Sequence, residues 1–161
     1  MELLTSDRCK TLTVRPAFGD LMSAINGARE SILLLSYQNI LPQMMKALLA
    51  AASRPEVSIH LIVDKKSTEF EGLRSSFPPT SKISINPETV EGGNSIMHVK
   101  TLVVDKRKVA IGSWNFTHSG MAGNIELGVM GDDRDLAMDI IAWVEAMHKR
   151  GVLTEIKQNT E

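Results

Sequence analysis

Apolar positions along the first half of the chain alternate between short runs and helical spacing. Thr11 to Phe18 reads as a strand, and Asp20 to Ala28 places Leu21, Ala24, Ile25 and Ala28 on one helical face. Asp20 is a candidate N-cap for that helix. Ser31 to Tyr37 is an apolar run suited to a buried strand. A second helix starts near Leu41, with Pro42 in its first turn, where a missing N–H costs nothing. Its apolar stripe is Met45, Leu48, Leu49 and Ala52. Val57 to Val63 reads as another strand, and a weaker helix, Thr68 to Ser76, stops at Pro78-Pro79.

Beyond the prolines, Lys82 to Ile85 suggests a short strand and Glu91 to Asn94 a loop. Met97 to Val104 and Lys108 to Ile111 read as strands joined by the charged turn Asp105 to Arg107, with a further strand from Ile125 to Met130. Asp133 to Lys149 is an amphipathic helix with Leu136, Ile140, Trp143, Val144 and Met147 inward, and Gly151 stands where a C-terminal cap belongs. This interleaving predicts an α/β fold, a central mixed sheet with helices on both faces. With 161 residues, no internal repeat and no long linker, the expectation is a single domain over residues 1–161.

Composition narrows the function. The chain is 43% hydrophobic and 23% charged with a net charge of −1, so no global positive field draws it to a polyanion. Cys9 is the one cysteine, which excludes an internal disulfide and thiolate-cluster metal sites. The first ten residues lack a signal-peptide apolar stretch, and the apolar runs are too short to span a bilayer. A cytoplasmic protein without stable membrane association is expected.

The chemistry concentrates between Met97 and Met130, where His98, Lys100, Asp105, Gly112, Ser113 and Asn115 form the pattern H-x-K-x4-D-x6-G-S-x-N. On a strand, His98 and Lys100 would face the same side about 7 Å apart, so an imidazole and an ammonium could reach one phosphate. Asn115 is placed to donate to a phosphoryl oxygen. Gly112 would let backbone approach substrate, and Asp105 falls at a turn, where it would hold the strand pair together. Ser113 would touch phosphate or cap the turn. Glu126 is the candidate carboxylate for the other ring nitrogen of His98, fixing its tautomer and stabilising its positive charge. A lysine ammonium repels cations, so no metal and no cofactor is expected. His118 is either a residue of the cleft rim or an ordinary loop histidine. Trp114 and Phe116 alternate away from Asn115, toward the core. His60 and His148 are assigned no chemistry, and the basic turns Lys65-Lys66 and Lys106 to Lys108 are solvated or contact a polymer backbone.

In every residue and spacing this pattern resembles the motif of the phospholipase D superfamily, and the single copy resembles that superfamily's small bacterial endonucleases. The resemblance implies a metal-independent phosphodiesterase with a phosphohistidine on His98, oriented by Glu126. In-line displacement needs a nucleophile and a proton donor on opposite sides of phosphorus. One motif supplies one histidine, so the resemblance implies a homodimer with a shared site. The expected substrate is DNA or RNA, cut with low sequence specificity. The alternatives are a phospholipid hydrolase or phosphatidyl transferase, and a non-catalytic nucleic-acid-binding module.

Overall fold

The computed structural model describes residues 1–11, 15–64, 70–86 and 96–157. The apolar runs pair into one mixed sheet. Its strands are β1 (Glu2–Thr5), β2 (Arg15–Pro16), β3 (Ser31–Ser36), β4 (Ser58–Asp64), β5 (Lys82–Asn86), β6 (Thr101–Val104), β7 (Lys108–Gly112), β8 (Leu127–Asp132) and β9 (Thr154–Glu155). Their order is β2-β1-β8-β7-β6-β3-β4-β5-β9. β3, β4 and β5 are parallel, and β6, β7 and β8 continue the sheet antiparallel from β3. Parallel neighbours need a crossover, and α2 (Pro42–Ala52) and α3 (Phe70–Ser76) lie on the two segments that supply one.

Helices cover both faces. α1 (Ala17–Asn26), α2 and α3 pack on one side, where Leu21, Ile25, Met44, Leu48 and Phe77 meet Ile32, Leu34 and Leu61. α4 (Arg134–Lys149) covers the other, setting Ala137 and Val144 against Leu33, Leu35, Ile62, Val103 and Val109. Its start is fixed by Asp133, whose side chain accepts from the Leu136 N–H at 2.9 Å. Its end is fixed by Gly151 at φ +72, a left-handed position a β-carbon would strain.

Several expectations are corrected. Helix α1 begins at Ala17, so Phe18 is helical, and Asp20 sits inside the first turn while Pro16 occupies the cap position. Helix α2 is rotated by about one residue: Met44, Ala47, Leu48, Ala51 and Ala52 are buried, while Met45 and Leu49 pack at the margin. Trp143 is 44% exposed, because Ala137 and Val144 take the positions closest to the sheet. β8 starts two residues later than expected and leaves Ile125 81% exposed. β1 and β9 carry too few residues to show a period, and their pairing with β8 and β5 reveals them. Residues 12–14 of the first expected strand, the Lys65-Lys66 turn, the start of the helix expected from Thr68, and the Glu91 to Asn94 loop lie outside the described residues.

The β6–β7 hairpin turns through Asp105 and Lys106, both at positive φ. Asp105 compensates by accepting the backbone N–H groups of Arg29, Glu30 and Ser31 at 2.7–3.1 Å, which ties the hairpin to the start of β3. Burial pushes its carboxyl up, but these N–H donors and nearby Lys108 outweigh that and hold it below the ordinary carboxylate value. The stabilisation is therefore complete above the unfolded-state pKa of about 3.9 and is lost as pH falls through the lower folded value. Asp105→Ala is expected to cost about 2–3 kcal/mol at neutral pH. Denaturant titrations should show the gap to wild type closing below about pH 4; a gap constant with pH would exclude this role.

Candidate active site

His98 and Lys100 lie just before β6, in backbone that is extended without being part of the ladder, rather than on the strand itself. Two long-range bonds hold this segment. The Met97 N–H donates to the buried Asp64 carboxylate at 2.7 Å, and the Lys100 carbonyl accepts from the Gly112 N–H at 3.3 Å. The two side chains still converge. Lys100 Nζ is 2.8 Å from His98 Nδ1 and donates to the His98 carbonyl at 2.7 Å. Tyr37, one residue past β3, closes the cluster: its ring centroid is 4.6 Å from the imidazole and 5.2 Å from Lys100 Nζ.

These contacts set the proton positions. An ammonium has only donors, so His98 Nδ1 must accept and the ring proton sits on Nε2. His98 is exposed and Lys100 only 4% exposed, so the imidazole faces solvent over a buried cation. Burial lowers the Lys100 pKa below its usual value, opposed by the negative charge of Glu126. Within one chain, Glu126 thus bears electrostatically on Lys100. The direct Glu126–His98 bond expected from the sequence is not among the hydrogen bonds of the described residues. The Glu126 carboxylate instead accepts from Ser113 Oγ and, at 3.1 Å, from Asn124 Nδ2.

The loop carrying Glu126 is fastened from the far end of the chain. Thr5 Oγ1 donates to the Glu126 carbonyl and Ser6 Oγ to the Asn124 carbonyl, both at 2.5 Å. Ser113 lies past the end of β7; its hydroxyl joins Glu126 and accepts the Leu127 N–H at 3.2 Å. Gly112 serves packing: a β-carbon there would sit 2.6 Å from the Trp114 ring, and one at Gly128, its cross-strand partner, 2.1 Å from it. Trp114 and Phe116 are buried. Asn115 follows in irregular backbone, its Oδ1 buried without a hydrogen-bond partner among the described residues. The π-helical turn Ser119–Gly123 packs on it, with Gly120 pressed against the Asn115 backbone. His118 is exposed at the start of that turn and, among the described residues, hydrogen-bonds no other site residue.

Sequence reasoning missed Tyr37, Asp64, Asn124 and the Thr5-Ser6 clasp. Only Asp64 carried a signal, as an acidic residue ending an apolar run. Among the described residues no three His, Cys, Asp or Glu side chains group as metal ligands, and no helix is long and apolar enough to cross a membrane.

Comparison with known proteins assigns this geometry. Residues 21–148 match the family model described as cardiolipin synthase, PLD-like domain. The chain belongs to the phospholipase D superfamily. Among curated relatives of this phospholipase D-like chain, a phospholipase D of Rickettsia prowazekii is 31% identical over 117 residues, spanning 73% of this chain and 55% of that one. One of Rickettsia bellii is 27% identical over 128 residues, 79% of this chain and 62% of the other. The matched region is thus little more than half the length of these relatives. In fold, the chain is similar to NucT from Helicobacter pylori, with a TM-score of 0.74, 23% identity, and 87% and 91% of the two chains covered. It is also similar to the phospholipase D family member Nuc from Salmonella typhimurium, with a TM-score of 0.70, 23% identity, and 87% and 90% covered.

Proposed function

We propose that this chain is a metal-independent phosphodiesterase that cleaves nucleic acid as a homodimer, with His98 forming the phosphohistidine. The observation that carries this is the buried Lys100 ammonium bonded to His98 Nδ1. It places positive charge for the non-bridging phosphoryl oxygens beside the attacking ring without a metal ion. Asn115 donates to phosphoryl oxygen as charge builds on it. Glu126 bears on the attacking imidazole through the charge it sets beside Lys100, while Ser113 and His118 border the bound diester.

In-line displacement asks for two histidines in different proton states. With Nδ1 facing Lys100, His98 offers an Nε2–H, the form that protonates a leaving oxygen. Attack requires a lone pair on Nε2, so the attacking copy must carry its proton on Nδ1 and release the Lys100 contact. Two copies of His98 across a two-fold axis divide these roles, and their protonations are then coupled. An apolar surface beside the site supports the dimer. Leu3, Ile111 and Leu127 share one face of β1, β7 and β8, by their register with Val129, and all are exposed, as is Ile125 next to Glu126.

Plasmid DNA and single-stranded RNA incubated with the protein in excess chelator test the reaction. Cleavage should persist, and its complete loss under chelation would remove the metal-free mechanism. A second reading, cleavage of a phospholipid headgroup, is favoured by the apolar Ile125 and Leu127 flanking the site and is tested in parallel with phosphatidylcholine vesicles. Leu127→Asp should convert the dimer to a monomer in light scattering and lower activity about 100-fold or more. A fully active monomer would contradict the shared site.

A further inference from the structure

A second concave site lies at the opposite end of β3. The catalytic cluster adjoins Ser36 and Tyr37, whereas Ser31 begins the strand, roughly 17 Å away at a rise of about 3.3 Å per residue. At that far end, the first residues of β3, β4 and β5 and the last two turns of α4 enclose a cavity of about 550 Å³. Sites for small organic ligands commonly measure about 300–1,000 Å³.

The lining divides by chemistry. Leu33, Ile141 and Val144 form an apolar floor. One wall is His60 and His148, whose rings stack with centroids 5.3 Å apart. His60 Nε2 is hydrogen-bonded to Ser84 Oγ at 2.9 Å, and His148 Nε2 is buried without a partner among the described residues. Burial, then Lys82 and His148, lower the His60 pKa to about 3, and burial and Lys82 lower that of His148. At neutral pH this wall is therefore uncharged. The rim carries Lys82, Lys106 and Lys149 with one acid, Glu145. Lys82 pairs with Glu155 at 3.5 Å and Lys106 with Glu30, both in exposed positions. Exposed pairs of this kind hold each other weakly, so a phosphate dianion can compete for the ammonium groups.

We propose that this cavity is a second ligand site, separate from the His98 cleft, for a small organic anion with a planar body, of the class of a nucleoside monophosphate. The ring would lie on the apolar floor and imidazole wall, and the phosphate would meet the lysine rim. The proposal is independent of the nuclease reading, since it uses none of the catalytic residues.

Calorimetric titration of the intact chain with AMP, adenosine and inorganic phosphate tests it. AMP should bind at least tenfold more tightly than either fragment, because only AMP engages both halves of the lining. The Lys82→Ala/Lys149→Ala double variant should weaken AMP binding about tenfold or more, and Lys100→Met, which removes the cation of the catalytic cleft, should leave it within about twofold. Lys149 is exposed and the Lys82 side chain half-exposed, so the double variant should fold, which circular dichroism would verify. No AMP binding at millimolar concentration would overturn the proposal. So would equal binding of either fragment, or binding lost in Lys100→Met and kept in the double variant, which would place AMP in the catalytic cleft.

Discussion

Replacing His98 with alanine is expected to lower phosphodiester cleavage by about 10³- to 10⁶-fold, the range found when an enzyme loses its nucleophile. The loss should fall on turnover, because Lys100 and Asn115 remain to bind the diester. Stability should change little, since the His98 side chain is exposed and its removal opens no cavity. Thermal unfolding would show whether inactivity came from misfolding. The proposed shared site adds a sharper expectation. Mixed dimers of wild-type and His98→Ala chains hold one imidazole and should be as inactive as the doubly substituted dimer. Copies mixed under exchanging conditions should lose activity faster than dilution alone explains. Activity falling only in proportion to the wild-type fraction would mean that each chain works alone.

The second large effect is expected at Gly120. A β-carbon there would lie 2.1 Å from the Asn115 carbonyl oxygen and 2.8 and 2.9 Å from the Asn115 nitrogen and carbonyl carbon. All three are backbone atoms, so no side chain can swing aside, and either the π-helical turn or the Asn115 backbone must move. Overpacking of this kind costs about 1–3 kcal/mol, which for a chain of this size lowers Tm by roughly 2–12 °C. A shift of Asn115 by an ångström should also cost about 100-fold in turnover. Gly123→Ala in the same turn is the control, because a β-carbon there meets nothing within 4 Å. Differential scanning fluorimetry and initial rates on both variants separate the two positions. If Gly120→Ala kept wild-type Tm and turnover, the contact would carry no weight in placing Asn115.

Local regularities were legible before the fold was known. The switching between run-like and helical apolar spacing is a property of neighbouring residues, so it located β3, α2, β4 and α4 to within a residue or two. The H-x-K spacing likewise named two side chains that meet, although His98 and Lys100 lie in extended backbone outside the strand ladder. Convergence survives because extended backbone still alternates its side chains outside a ladder.

Other features depend on pairs far apart in the chain, for which no periodicity exists. The Thr5 hydroxyl that clasps Glu126 comes from 121 positions away, and Asp64 reaches Met97 across 33. Whether Trp143 or Val144 faced the sheet depended on the rotation of α4, which only contact with β3 and β7 resolves. The same holds for Glu126: a carboxylate suited to the imidazole could be named from residue type, but its bonds to Ser113 and Asn124 follow from how the loop is anchored. Residue type and short spacing thus establish which functional groups are available. Long-range packing settles which atoms meet, because the orientation of each side chain depends on the whole surface pressed against it.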